Sequence, residues 1–260
     1  MSKQSNTPPQ SRYESTQMAW ENIWSEANIE VELEVVRSTR SMQTINAYLP
    51  YLDKNEAVLE AGSGLSAVIL TLRDMGYRVI GLDYALNALE TSKAYDPQLD
   101  LTGGDVHKLP IADNSVGAYL SFGVFEHFET GMQLPLQEAF RILKPNGTLV
   151  MTIPYPNLVN RAVAWRRKAK GQSVLTDEDF YESTYTHTQL IDEIQRVGFE
   201  TLLVKPTSHA YTLWGLGGPF RSRGYYKTSK LADTLGTALR YTLPWAMNFM
   251  TLIVGRKPNR

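Results

Sequence analysis

Two stretches near the start of the chain repeat apolar residues at the spacing of one helix face. Trp20, Ile23, Trp24 and Ala27 fall at i, i+3, i+4 and i+7, and Ile45, Tyr48, Leu49 and Leu52 do the same, so amphipathic helices are predicted ahead of the first strand. From Ala57 the pattern changes to short apolar runs that close in Gly or Asp, each followed by a helical stretch. The predicted strands are 57–61, 78–83, 99–102, 116–122 and 148–153. The helices between them are 65–75, stopped by Gly76; 86–95, stopped by Asp96-Pro97; and 134–143, stopped by Pro145-Asn146-Gly147. Such alternation favours a parallel sheet with right-handed crossovers and helices on both faces, because each strand must bury both of its sides.

After Ile153 the rhythm breaks. A segment rich in Pro, Tyr and basic residues runs to about Thr186; a helix (188–197) and a strand (199–204) follow, and a long aromatic and Gly-rich stretch precedes a last apolar run, 247–255. The organisation read from this is a polar tail at 1–12 and a single domain at 13–260. The domain has a helical preface (13–53) and insertions at about 154–186 and 207–245.

Composition narrows the function classes. Lys and Arg number 26 against 27 Asp and Glu, a net charge of -1, so the positive field that nucleic-acid binding requires is absent and no nucleic-acid partner is expected. With no cysteine there are no disulfides, thiolate metal sites or thiol nucleophiles. The first ten residues lack the apolar core of a signal peptide, and the only stretch near membrane-span length, 231–254, is interrupted by Asp233, Arg240 and Pro244. The expectation is a cytoplasmic protein with no transmembrane segment.

The chemistry begins at Gly62-Ser63-Gly64, between the first strand and its helix. Without a Cβ the backbone turns tightly and lets a ligand approach the N–H groups of the helix start. Asp83 closes the next strand, 21 residues after Gly62, the separation at which a carboxylate accepts from two ribose hydroxyls across the same crevice. The pairing does not choose the cofactor, because Gly62-x-Gly64-x-x-Ala67 also satisfies the dinucleotide fingerprint. A strand–helix turn that uses Gly for geometry alone is the plain alternative.

Further motifs follow in order: Glu60-Ala61-Gly62-Ser63-Gly64, Gly81-Leu82-Asp83, Gly104-Asp105-Val106 through Leu109-Pro110, Ser121-Phe122-Gly123, and Leu143-Lys144-Pro145-Asn146-Gly147. Together they resemble the successive motifs of class I methyltransferases that use S-adenosylmethionine (SAM), in the small-molecule "type 11" branch that includes the quinone-ring methyltransferases. The likeness covers 57–153 and extends weakly to Gly198-Phe199-Glu200 and Ile253-Val254-Gly255. It implies a Rossmann-like three-layer α/β/α fold whose seven-stranded mixed sheet is parallel except for one antiparallel strand near the C-terminus. It also implies SAM as cofactor, held by Glu60 toward the methionine amino group and by Gly62, Ser63 and Gly64 at the carboxylate. Asp83 would take the ribose, Tyr84 the adenine face, Asp105 and Val106 the adenine edge, and Phe122 with Gly123 would pass the sulfonium. Glu60 as a solvated strand-end carboxylate and Phe122 as ordinary core are the bland readings. A nicotinamide oxidoreductase and a SAM-binding protein without turnover are the functional rivals.

Methyl transfer asks mainly for positioning and a dry site, so no catalytic residue is assigned, and the helices around Trp20 and Trp24 are expected to close over the cofactor, with permanent packing on the body of the domain the alternative. Should the acceptor have to lose a proton, the candidate bases are Glu126, His127, Tyr155, Tyr185, His187 and His209, with His127 the preferred one and a helix-flanking His its alternative. The separation of His187 and His209 makes no helix-face metal pair, and no metal is expected. Arg161, Arg166, Arg167, Lys168 and Lys170 surround Trp165 with no acid among them. That run is either a solvated helix face or a lid that recognises an anion. On the second reading Tyr155, Trp165, Arg166, Tyr185 and His187, beside Tyr181, bind a small-molecule or lipid-like acceptor with a polar or anionic end, and the aromatic stretch from Tyr211 to Tyr226 supplies specificity otherwise.

Overall fold

The computed structural model describes residues 12–169, 182–223 and 227–259. The preface consists of α1 (Arg12–Glu26), α2 (Ile29–Val36) and α3 (Thr39–Tyr48). The two later starts are capped by side chains: Asn28 accepts from the N–H groups of Glu30 and Val31, and Ser38 from that of Ser41. Then β1 (Ala57–Ala61), α4 (Ala67–Asp74), β2 (Arg78–Asp83), α5 (Leu86–Tyr95), β3 (Asp100–Gly103), β4 (Val116–Phe122), α6 (Gln133–Ile142) and β5 (Leu143–Pro154) alternate as the pattern predicted. Beyond them lie α7 (Leu158–Ala169), α8 (His187–Val197), β6 (Glu200–Thr207), α9 (His209–Gly215), α10 (Lys230–Thr242) and β7 (Met250–Arg256).

The seven strands run in the order β3-β2-β1-β4-β5-β7-β6. All pairs from β3 to β5 are parallel, while β7 is antiparallel to both β5 and β6. The mixed sheet with one antiparallel strand is thus present, and β6 returns to the sense of β5. Side chains alternate across it. Val58, Leu120, Val150 and Val254 enter the core under α2 to α5, whereas Leu59, Tyr119, Leu149 and Ile253 enter the core under α6 and α8. This period of two gives the three layers, since each strand face is apolar and each is covered by helices.

Two boundaries depart most from expectation. β5 starts at Leu143 and runs through Pro145-Asn146-Gly147, which were expected to stop the preceding helix ahead of a strand at 148. Leu143 pairs with Val116 across a register shift, Asn146 takes a φ of 65°, and Asn146 and Gly147 exchange backbone hydrogen bonds with Lys257. The turn residues form a bulge because β7 supplies backbone partners that a free turn would lack. The helix after the glycine loop starts at Ala67 rather than residue 65, since Gly64 and Ser66 both hold positive φ. The expected tail lies outside the described residues except for Arg12, which begins α1, and so does 170–181 of the first insertion, Tyr181 included. No helix among the described residues is long and apolar enough to cross a membrane.

Candidate functional site

The strand order reverses between β1 and β4, the point at which open α/β sheets leave a crevice outside the carboxyl ends of the strands. A cavity of about 510 Å³ lies there, within the ~300–1,000 Å³ typical of small-molecule sites. Its floor is the turn after β1. Gly62 has a φ of 82°, and a Cβ on it would stand 2.4 Å from Val124 Cγ2; Gly64 has a φ of 47°, and a Cβ there would meet the Trp24 ring at 2.5 Å. Glycine is required twice at this loop, once for backbone shape and once because α1 packs its indole directly on it.

Asp83 ties that turn to the next one. One carboxylate oxygen accepts from the Gly64 N–H at 2.7 Å and the other from the Ala85 N–H at 2.9 Å. Burial raises its pKa, and the Ala85, Gly64 and Tyr84 amides oppose the rise. Glu60, on the face of β1 that packs under α4, is wholly buried; burial first and the charge of Asp83 second raise its pKa well above the carboxylate range. Glu60 Oε2 and Ser63 Oγ are buried without a hydrogen-bond partner among the described residues, and both residues line the cavity. Buried polar atoms of this kind are uncommon and are usually met by a ligand or water. Past β3, Asp105 Oδ1 accepts from the backbone N–H of His107 at 2.9 Å and pairs with its Nδ1 at 2.8 Å, which fixes the carboxylate at the rim.

All ten residues predicted to hold a cofactor, namely Glu60, Gly62, Ser63, Gly64, Asp83, Tyr84, Asp105, Val106, Phe122 and Gly123, line this one cavity. Phe122 belongs to both readings made of it: it stacks on the buried Tyr48 ring at 5.6 Å and still lines the cavity. His127 lines it too, its ring edge-on to Trp20 at 5.3 Å. Glu126 does not. Its carboxyl is buried behind Gly123 with Oε2 unpartnered, and burial pushes its pKa up to about 8.

Trp20 and Trp24, whose helix was expected to cover the cofactor, line the cavity from α1. Sequence reasoning did not single out Glu32 and Val36 of α2, or Phe128, Glu129 and Thr130, which line it as well. Among the described residues five carboxylates reach the lining (Glu32, Glu60, Asp83, Asp105 and Glu129), with no Lys or Arg. Glu32, too, has its pKa raised by burial.

The predicted acceptor residues stand apart from this cavity. Tyr155 and His187 form an aromatic cluster with Trp245, the His187 and Trp245 rings 4.4 Å apart. Tyr185 packs on the core under α8 and donates its N–H to the Pro154 carbonyl. Trp165, 73% exposed, and Arg166 ride on α7, which buries none of its described side chains. The side chains of Arg167 and Lys168, and all of Lys170, lie outside the described residues, as does the Tyr225-Tyr226 end of the second aromatic stretch. His209 is buried, its Nε2 2.8 Å from the Pro244 carbonyl. Among the described residues no group of His, Asp and Glu could hold a metal ion.

Residues 59–151 match the family described as "Methyltransferase domain". A demethylmenaquinone methyltransferase of Renibacterium salmoninarum is 35% identical over 97 residues, 37% of this chain and 40% of that protein. A protein of Mycolicibacterium smegmatis named as a probable S-adenosylmethionine-dependent methyltransferase is 36% identical over 97 residues, 37% of each chain. The matches therefore span well under half the length of these relatives. Among solved structures, a SAM-dependent methyltransferase of Thermotoga maritima superimposes with a TM-score of 0.61 at 16% identity, covering 93% of this chain and 99% of that one. Another, from Mesorhizobium loti, gives 0.59 at 15% identity over 85% and 98%. Likeness at such identity is likeness of fold.

Proposed function

We propose that this chain, which carries a class I methyltransferase domain of the type 11 branch, transfers a methyl group from SAM to a small-molecule or lipid-like acceptor. The observation that carries the reading is the sign of the cavity: five carboxylates and no Lys or Arg around a glycine loop. SAM bears two positive groups, the α-amino and the sulfonium, against one carboxylate, and an acidic cavity favours it by Coulomb attraction. A nicotinamide dinucleotide would bring its pyrophosphate into the same five acids with no side-chain cation to offset them, which disfavours the oxidoreductase.

The residues present fit the group. Glu60 Oε2 and Ser63 Oγ are unpartnered buried acceptors next to the loop that would take the methionine end, and Asp83 keeps lone pairs beyond its two backbone bonds for hydroxyls. SAM, when bound, supplies a methyl carbon already activated by a positive sulfur. The chain's own task is then to orient and to exclude water, and the stacked rings of Trp20 and Trp24, 5.7 Å apart, wall off the solvent side. His127, on the cavity wall under Trp20, is positioned to take a proton from an acceptor that must lose one. Relatives named demethylmenaquinone methyltransferase support a small-molecule acceptor.

Calorimetry tests the cofactor: SAM is expected to bind and NAD to give no saturable heat, and the reverse result rejects the reading. Release of S-adenosylhomocysteine in the presence of candidate acceptors separates an enzyme from a SAM-binding protein without turnover.

A further inference from the structure

A second hollow, of about 60 Å³, opens beyond the end of β6, between α3 and the second insertion. Arg40 of α3, Lys205 of β6 and Arg240 of α10 line it, and among the described residues its one acid is Asp233. Among the described residues none of the three cations forms an ion pair. Arg40 lies over the Tyr211 ring, 4.9 Å from its centroid, Arg240 donates to Gln43 Oε1 at 3.0 Å, and the Lys205 ammonium has no hydrogen-bond partner. Asp233 accepts from the Thr228 hydroxyl at 2.7 Å and supports the charge of Arg40 without forming an ion pair with it.

Gathering cations in a partly dehydrated recess costs free energy unless an anion meets them. The strain is visible at Lys205, whose pKa is lowered by burial and by the charge of Arg240, and at Arg40, lowered by burial. Hydroxyls complete the lining: Thr39, Thr44, Ser208 and Thr237. Ser208 sits at a φ of 60° without using its side chain to cap α9. The wall behind it is tight, since a Cβ on Gly236 would stand 2.5 Å from the Ala210 nitrogen. A water needs roughly 10–15 Å³ by the same measure, so the hollow suits a handful of oxygens around one centre rather than a large ligand.

We propose that this hollow binds a phosphoryl-sized oxyanion, recognised by the convergence of Arg40, Lys205 and Arg240 with the surrounding hydroxyls. The forked guanidinium donors of the two arginines fit a tetrahedral oxyanion on two sides, and the lysine supplies a point charge. None of these residues lines the acidic cavity, so the proposal stands whether or not methyl transfer is the activity. The oxyanion could reach the hollow as a soluble phosphate ester or as the headgroup of an anionic lipid.

The test titrates the full chain with inorganic phosphate by calorimetry and pellets it with vesicles of phosphatidylglycerol or phosphatidylcholine. Wild type is expected to show saturable phosphate binding. The Lys205→Met and Arg240→Gln variants should each bind about tenfold more weakly, the loss of one charge-assisted contact. SAM binding should be the same in all three. Pelleting with phosphatidylglycerol alone, lost in both variants, assigns the headgroup; phosphate binding without pelleting assigns a soluble ester. A second readout guards against misfolding. Lys205→Met removes a charge that its surroundings disfavour, so without phosphate its Tm should equal or exceed that of wild type, whereas a merely structural lysine would lower it. Absence of both phosphate binding and selective pelleting, or variants that bind as wild type does, overturns the proposal.

Discussion

The two hollows of this molecule are opposite in sign. The cavity at the ends of β1, β2 and β4 presents Glu32, Glu60, Asp83, Asp105 and Glu129 and no cation, while the hollow at the end of β6 presents Arg40, Lys205 and Arg240 against Asp233. A net charge of -1 forecasts neither. Charge has been sorted between two recesses at the same edge of one sheet, and the sorting has a structural cause. The acids of the first cavity include Glu60 and Asp83 at strand ends, and for Asp83 the Gly64 and Ala85 turn amides oppose the cost of burial. The cations of the second come from a helix, an edge strand and an insertion, and the described lining sets the single carboxylate of Asp233 against the three of them. The first recess is prepared for a cationic ligand by its own backbone, and the second is left for an anion to complete.

The sharpest way to break this contrast is at Asp83. Asp83→Ala orphans two buried N–H groups as well as removing a ligand contact, at about 1–3 kcal/mol for an unpaired group. SAM affinity should fall by some tens- to several hundred-fold, with a lower Tm, while phosphate binding at the other hollow is unchanged. Asp83→Asn, which keeps one acceptor, should fall between. Calorimetry on folded protein checks this, and SAM affinity within threefold of wild type in Asp83→Ala would remove Asp83 from the site.

Glu126 gives the next largest effect. Its pKa stands near 8 in the folded chain because of burial, against an ordinary 4.5. The stability tied to its protonated form is therefore fully present below about pH 4.5 and is lost as pH rises through about 8. Burial also raises Glu60, Asp83 and Glu32, and these add slope of the same sign. Wild type should melt at a lower temperature at pH 9 than at pH 6, by on the order of a few kcal/mol from Glu126, and Glu126→Gln should show a shallower decline and the higher Tm at pH 9. Parallel melting curves for the two proteins across that range would show that Glu126 carries no such linkage.

How much of this was legible beforehand depended on whether a feature is local in the chain. The limits of β1, β2, β4 and α5 were readable to the residue because Gly, Asp and Pro punctuate the apolar runs. The ten residues predicted to hold a cofactor fall in one cavity because the motifs stand at strand ends, which the fold brings to one crevice. What was missed is held by long-range contact. Nothing near Trp24 in sequence says that its indole rests on Gly64, and Arg40, Lys205 and Arg240 meet only because α10 packs beside α3, as the Arg240–Gln43 bond shows. The aromatic residues after β5 were read from composition, which gives no direction: Trp245, distant in sequence, joins Tyr155 and His187 in an aromatic cluster.

Opposite signs predict opposite responses to pH. In the acidic cavity a cationic ligand favours the ionised forms of Glu60 and Asp83, whose pKa values burial has raised. SAM should therefore bind more tightly as pH rises from about 5 to 7, with protons released on binding. The hollow at β6 should do the reverse in alkali, since Lys205, with its lowered pKa, loses its charge early. Sulfate, whose own charge is constant in this range, is the probe there, and its binding should weaken toward pH 10. Calorimetry in two buffers of different ionisation heat measures the proton release; two slopes of the same sign would contradict the contrast.

The smallest effect concerns the roof of the acidic cavity. Among its described side chains α1 has none that is buried; its bonds to the body include Gln17 Nε2 donating to the Tyr84 carbonyl at 3.3 Å and Asn87 Nδ2 donating to the Glu21 carbonyl at 2.7 Å, with Trp20 and Trp24 lining the cavity. An element with no buried side chain opens locally at lower cost than the core strands. A ligand beneath it buries the two indoles further and raises that cost, so S-adenosylhomocysteine should slow hydrogen exchange in α1 by about tenfold, roughly 1.4 kcal/mol. The core strand β4 is the internal control and should not change. Because the β6 hollow shares no residue with this roof, saturating phosphate should leave α1 exchange unaltered. Equal protection of α1 with and without S-adenosylhomocysteine would make the preface a fixed wall of the domain rather than a cover that the ligand closes.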